Sequence, residues 1–331
     1  MDQIDKIRTS TSAIVEKMEQ ELNGNPSILY EAASHILTSG GKRLRPYLAL
    51  KSFELLRGDS KSALQVASSV EFIHNFTLLH DDIMDSEAFR HKVQTVHRKF
   101  GIPYAIIAGD VLFAKAVQVV TDASIKGHLP AEDAVRIADV IARSSVKVCE
   151  GQAEDMAMAE SPEFPSERKY YAMIEKKTAA LFEAASLMGC ILAGGSSRDE
   201  KRLSSFGKNF GIAFQLVDDL LGVAGDESLT GKSVGGDLLQ GKKTLPVALA
   251  FRMTSDDDRT KLLRVFGKKK ARAKDVNVAI EIIRKCGAQT AVREQAKMYA
   301  KIAFDQIALY DDSKAKRDLK DLEVLVTTRQ L

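Results

Sequence analysis

Two clusters of aspartate mark where this chain can do chemistry: Leu79-His80-Asp81-Asp82-Ile83-Met84-Asp85 and Phe214-Gln215-Leu216-Val217-Asp218-Asp219. Residues four apart on an α-helix project from one face, so Asp81 and Asp85 can share a hard cation, with Asp82 about a quarter turn away. Magnesium keeps several waters and takes one or two carboxylates together with phosphate oxygens, which suits so sparse a stripe better than a calcium cage. The clusters follow the apolar runs Phe76 to Leu79 and Ile212 to Val217, where a carboxylate without a cation is costly to bury. The motif D-D-x-x-D is weak evidence alone. Its pairing with a second acidic cluster, each followed by lysines and arginines, points to metal-bridged diphosphate chemistry in a cavity lined from two helices. His74 falls two turns before Asp81 on nearly the same stripe, a position that also suits a core histidine.

Three basic elements can hold phosphates: Gly40-Gly41-Lys42-Arg43-Leu44-Arg45-Pro46, Arg90-His91-Lys92 and Lys176-Lys177-Thr178. The first stands above an ordinary charge run, since paired glycines let the backbone approach an anion and a helix start follows. Lys232 and Lys242-Lys243 lie in the glycine-rich segment from Gly225 to Lys243, where they could close over a bound diphosphate as a lid.

The elements that position these residues read as helices. Apolar residues recur at i, i+3, i+4 and i+7 over 3–22, 27–38, 44–57, 62–88, 104–125, 131–159, 166–193, 199–223, 245–253, 275–285, 288–308 and 314–327, and no convincing period-2 strand is found. The expected fold is all-α, a single large helical domain over 1–331 with a central cavity. A content of 45% apolar residues supports a sizeable core, and 48 basic against 45 acidic residues leave a formal charge of +3, which favours neither nucleic acid nor a membrane surface. Cys149, Cys190 and Cys286 lack metal-ligand spacing and read as buried free thiols of a reducing cytosol. The longest greasy stretch is read around Leu187 to Ala193, too short to span a bilayer, and no export is expected.

At this point the chain resembles the trans-isoprenyl diphosphate synthases, the polyprenyl synthetase family. The resemblance runs from about Gly40 to Thr244 in the family's order: GGKRLRP, HNFTLLHDDIMD, Thr95-Val96-His97, Gly151-Gln152 with Asp155, Lys177-Thr178-Ala179, Phe214-Gln215 before Asp218-Asp219, and Gly241-Lys242-Lys243-Thr244. It implies a homodimer that condenses isopentenyl diphosphate with allylic diphosphates using three magnesium ions. Asp81 and Asp85 would hold two ions and Asp218 a third, with Asp82 and Asp219 in support. Gly41, Lys42, Arg45, His74 and His91 would hold isopentenyl diphosphate; Arg90, Lys177, Lys232 and Lys242 would grip the allylic diphosphate. Thr178 and Gln215 would turn oxygen dipoles toward the allylic cation, with Gln152 and Asp155 behind them. Helix geometry alone does not choose between Phe76 and Thr77 as the floor of the product tunnel. The resemblance does: an aromatic five residues before the first Asp is similar to archaeal-type synthases that stop at C20.

Three departures stand out. His91 replaces a usual Arg, so isopentenyl binding is expected to weaken above neutral pH unless Lys92 substitutes. Lys92 and Gln94 replace Gly and Pro, and Gly222 stands where the second motif usually ends in Asp. A silent partner subunit, and a terpene cyclase or head-to-head synthase, are the alternative readings. Intact Asp81, Asp82 and Asp85 speak against the first, and the Gly41-Lys42-Arg45 element with His74 speaks against the second.

Overall fold

A computed structural model describes residues 3–37, 39–57, 63–224, 235–268 and 270–327. In chain order its helices are α1 (Gln3–Glu21), α2 (Ser27–Ser34), α3 (Leu44–Arg57), α4 (Leu64–Met84), α5 (Val96–Lys99), α6 (Ile102–Ile125), α7 (Ala131–Glu160), α8 (Glu167–Ile174), α9 (Ala180–Leu192) and α10 (Ser197–Ala224). They continue as α11 (Gly236–Gln240), α12 (Leu245–Met253), α13 (Asp256–Leu263), α14 (Ala273–Lys285), α15 (Ala288–Ala308), α16 (Lys314–Lys320) and α17 (Val324–Thr327). The all-α expectation therefore holds, with one correction: Phe89–Arg90 (β1) and Val93–Gln94 (β2) form a small antiparallel hairpin. Two-residue strands are too short to leave a period-2 signature. The predicted helix over 166–193 is interrupted by a π-turn at Glu175–Ala179. Within the expected loop from 225 to 243, residues 236–240 are helical and 225–234 lie outside the described residues.

By their internal contacts the described residues fall into two compact units, one from 1–146, 181–207 and 306–321 and the other from 147–180, 208–305 and 322–331. In the first, α4 packs against α1, α3 and α6. It buries Val66, Val70, Phe72, Ile73 and Leu79 around its circumference, as a helix surrounded by neighbours must. The buried stripe of α6 is mostly small residues, Ala105, Ala108, Gly109 and Ala116 with Leu112 among them, at helical spacing that lets the two backbones approach. Fully burying a residue such as Phe72 contributes roughly 1.5–3 kcal/mol. Lys51 on α3 ties that helix to α16 through Asp318, at 3.0 Å.

In the second unit, α8, α10, α12, α14 and α15 enclose a core that includes Tyr170, Leu216, Val247, Ile283 and Val292. Its helices keep the same apolar spacing, and Ser255 caps α13 by accepting from the Asp258 backbone N–H.

Two further readings change. α6 is long and apolar enough to cross a membrane by length and composition, with mean hydropathy 1.5 over its most apolar window, so the longest greasy stretch lies there and not at Leu187 to Ala193. Its buried alanine and leucine stripe against α4 accounts for that composition within a helical core. The thiols are free as expected, but only Cys190 is buried, and burial pushes it up to about 12. Cys149 is exposed, and Cys286, the C-cap of α14, is part-buried.

Candidate active site

In the first unit the acidic motif occupies the last turn of α4, not its middle as its apolar approach suggested: Asp85 is the C-cap, and its backbone N–H donates to the Asp81 carbonyl at 2.8 Å. Carboxylates at a helix C-terminus oppose the macrodipole, so Asp81 and Asp85 stabilise the fold poorly and gain from a cation. Asp82 points elsewhere. Only 1% exposed, it accepts a bidentate pair from Arg90, with Nε at 2.9 and 3.1 Å and a terminal nitrogen at 2.7 Å. Burial pushes the Asp82 carboxyl upward, and the Arg90 hydrogen bonds and charge oppose that shift. Asp82 thus fixes Arg90 on β1.

The hairpin that carries Arg90 turns through His91 at φ 49° and Lys92 at φ 70°. Two successive positive φ values are what a two-residue hairpin turn requires, and glycine is the residue that adopts them without strain. Lys92 therefore occupies a position where glycine is conformationally easier. Loss of water, then the charges of Arg90, Arg43, Lys42 and Arg8, push His91 below the usual histidine value, so it is neutral at pH 7 before any anion arrives.

The loop before α3 has Gly40 at φ 120°, Gly41 at φ 122° and Arg43 at φ 51°. Arg43 is not a phosphate ligand in this arrangement: its guanidinium is buried, ion-paired with Glu71 of α4 and donating to the Leu37 carbonyl. That anchor leaves Lys42 and Arg45 on either side of it. A terminal Arg45 nitrogen meets His74 Nε2 at 3.2 Å, and its guanidinium lies 4.3 Å from the Phe182 ring centroid. Burial brings Arg45 down to about 10, still a cation at neutral pH. His74 is pushed well below its usual value by burial and then by Arg45, so its neutral Nε2 accepts from Arg45. The Arg45 Nε is buried and has no protein partner. A cation with an unused buried donor fits an anionic ligand.

Phe76 and Thr77 sit part-buried one helical turn and more before Asp81. The Phe76 ring is flanked by His80, centroids 4.8 Å apart, and by Phe113 of α6 at 5.5 Å. The Thr77 hydroxyl donates to the His74 carbonyl at 2.8 Å. Phe76 therefore presents the bulk, and Phe113 is a neighbour that sequence reasoning missed, because nothing in its own helix marks it.

In the second unit, the π-turn Glu175–Ala179 widens the backbone where Lys177 and Thr178 fall. Gly151 of α7 makes room for it: a Cβ there would lie 2.3 Å from the Lys177 nitrogen. Lys177 pairs with Asp155 at 2.5 Å, and Lys176 with Glu154 at 2.6 Å and Glu150 at 3.3 Å. Gln152 is buried beside them on α7. Thr178 donates to Gln215 Oε1 at 2.8 Å, Gln215 Nε2 donates to Asp219 at 2.7 Å, and Tyr170 donates to the other Asp219 oxygen. This chain orients the Gln215 amide and leaves lone pairs on Thr178 and Gln215 for a cation. Burial and the nearby Asp237 raise Asp219 to about 7, with the Tyr170 and Gln215 bonds opposing.

Asp218, one residue earlier on α10, is only part-buried. Asp237 of α11 comes to the place left by Gly222: a Cβ at Gly222 would lie 2.0 Å from its Oδ2. A carboxylate from another helix thus fills the space of the absent third aspartate. Neither Asp237 nor Tyr170 was singled out in the sequence; the gap at Gly222 was the one available signal. Lys242 is exposed after α11, whereas Lys243 donates to the Met158, Ala159 and Ser161 carbonyls at the end of α7 and acts as its cap. Lys232 lies outside the described residues.

Among the described residues no three carboxylate, histidine or cysteine side chains converge on one metal position. Asp81 with Asp85 in the first unit, and Asp218 in the second, each offer oxygen donors of the kind that magnesium shares with phosphate oxygens. Glu71, flanked by Val70 and Phe72, was a charge in an apolar run and could have flagged the Arg43 anchor.

The polyprenyl synthetase family model matches residues 26–283. A geranylgeranyl diphosphate synthase of Sulfolobus acidocaldarius is 41% identical over 286 residues, 86% of each chain. The crystal structure of a geranylgeranyl pyrophosphate synthetase from Pyrococcus horikoshii superposes with TM-score 0.91 at 39% identity, covering 99% of this chain and 98% of that one. A geranylgeranyl pyrophosphate synthase from Corynebacterium glutamicum, solved with isoprenyl diphosphate and magnesium, gives TM-score 0.85 at 28% identity over 100% of both.

Two outcomes are expected. Gly222→Asp forces a carboxylate into the Asp237 position and costs about 2–4 kcal/mol in urea unfolding, a loss that adding Asp237→Gly partly reverses. His74 stays neutral in the fold while the unfolded chain takes up a proton below about pH 6.5. The unfolded state then binds more protons, so stability falls as pH drops through 6.5 by at most about 1.4 kcal/mol per unit from this group. His74→Gln flattens that part of the slope in unfolding measured between pH 7.5 and 5.

Proposed function

The chain belongs to the polyprenyl synthetase family, and from that premise we propose that it condenses isopentenyl diphosphate head-to-tail with dimethylallyl, geranyl and farnesyl diphosphates, releasing diphosphate and ending at geranylgeranyl diphosphate. The observation that carries this reading is the arrangement around α4. Arg45, held by the neutral His74 imidazole and keeping an unused buried donor, makes an anion site with Lys42 three residues before it in the chain. The same helix ends in the Asp81 and Asp85 pair. One helix with both kinds of site suits two diphosphates, one held by side chains and one through metal. A cyclase needs only the second.

Three magnesium ions, two on Asp81 and Asp85 and one on Asp218, would neutralise the charge that grows on the leaving diphosphate. Arg90, braced by Asp82, with Lys177, Lys242 and Lys232, holds that diphosphate in place. The lone pairs of Thr178 and Gln215 face the allylic cation, which the isopentenyl double bond traps, and the proton then lost goes to the departing diphosphate. Phe76, backed by His80 and Phe113, bounds the growing chain.

Both units serve one catalytic domain in this reading. The second face of α6 exposes Ile102, Ile106 and Ile107, an apolar strip that supports a homodimer. The compartment is the cytoplasm. The near-balanced charge and the carboxylate pairing of several lysines support small-molecule substrates over nucleic acid.

The test is a product assay with purified protein, magnesium, isopentenyl diphosphate and, separately, C5, C10 and C15 starters. Wild type is expected to accumulate C20, and Phe76→Ala to make C25 and longer chains. No elongation from any starter would overturn the reaction; an unchanged C20 limit in Phe76→Ala would remove that residue as the floor.

A further inference from the structure

We infer that Arg8, on the N-terminal helix, is a further binding residue for the homoallylic diphosphate. The inference rests on the reading above and extends its isopentenyl site to an element that the sequence motifs do not include.

Ile7, Thr11, Ile14 and Met18 form the buried stripe of α1, which packs against α3 and α4. Arg8 lies at the margin of this stripe with its side chain exposed. Its Nε donates to the Gly41 carbonyl at 3.3 Å. Gly41 is a meeting point: a Cβ on it would lie 3.6 Å from His91 Cε1 and 3.7 Å from Arg43 Cζ, and Lys42 follows it in the chain.

The charges around this point are unequal in their commitments. Arg43 is paired with Glu71, and Arg90 with Asp82. His91 is held neutral by lost water and by the surrounding cations, Arg8 among them. Arg8 has no carboxylate partner among the described residues. Its single bond to a carbonyl engages Nε and leaves both terminal nitrogens for a ligand, in the planar fork that matches phosphate oxygens. Arg8 thus adds positive charge beside the Gly41 loop that a bound diphosphate would offset.

The alternative is that Arg8 only ties α1 to the glycine loop. Arg8→Gln separates the two, because glutamine can still donate to the Gly41 carbonyl but carries no charge. The measurement is calorimetric titration of isopentenyl diphosphate without metal, and of dimethylallyl diphosphate with magnesium. Arg8→Gln is expected to raise Kd for isopentenyl diphosphate about tenfold, while Kd for dimethylallyl diphosphate moves less than about twofold. Arg8→Lys, which keeps the charge but not the fork, loses less affinity than Arg8→Gln. Adding His91→Arg to Arg8→Gln restores isopentenyl binding to within about threefold.

Wild-type affinity in Arg8→Gln, or equal losses for both ligands, overturns the inference and leaves the proposed reaction standing. A wild-type protein that binds no isopentenyl diphosphate overturns the proposed reaction and this inference with it.

Discussion

The buried ion pair between Arg43 and Glu71 is the constraint on which the first unit's site depends. Glu71 is 2% exposed and Arg43 9%, so neither charge is tolerable without the other. Arg43 also donates to the Leu37 carbonyl and adopts positive φ. One side chain thereby pins the loop between α2 and α3 onto α4. Lys42 and Arg45 flank that anchor in the chain, and His74 sits three residues past Glu71 on the same helix. Continuing along α4 leads to Phe76 and then to Asp81. Anion site, apolar wall and acidic pair are thus spaced along a single rigid element, and sites built on such elements are held more closely than sites on loops.

The second unit reaches a comparable rigidity through hydrogen bonds. Tyr170, Asp219, Gln215 and Thr178 form an ordered chain in which each partner fixes the next. A buried network of this kind stabilises only when its members are satisfied. Asp219 shows the tension: burial and Asp237 favour its protonation, while Tyr170 and Gln215 favour the anion. The π-turn adds a backbone device, placing Lys177 and Thr178 at a widened point that Gly151 alone can approach. In both units, then, residues that would touch substrate are oriented by partners that would not.

Much of this was legible in the sequence because helical periodicity and charged residues after apolar runs are local signals. α4, α6, α7 and α10 were read within a few residues of their bounds, and Lys42, Arg45, His74, Asp81 and Asp85 fall together in one unit as the motifs suggested. What escaped was non-local. The roles of Arg43 and Lys243 depend on Glu71 and on the end of α7, and a basic residue in a run does not announce which carboxylate or carbonyl it will meet. Asp237 matters because of a gap on another helix. The hairpin at β1 and β2 was hidden because its turn is built from His91 and Lys92 in place of glycine. The split at Glu175–Ala179 leaves apolar periodicity nearly unchanged, so a continuous helix was the natural expectation.

The most direct measurement of the organising role given to Arg43 and Glu71 is a double-mutant cycle, Arg43→Met, Glu71→Leu and both together, read by urea unfolding and by Kd for isopentenyl diphosphate. Each single variant should lose about 3–5 kcal/mol by stranding a buried charge, and the double variant should regain most of that stability. Isopentenyl affinity should stay low in all three, because the loop is no longer held. Wild-type affinity in the stable double variant would show that Lys42 and Arg45 find their positions without the pair, and would contradict the account.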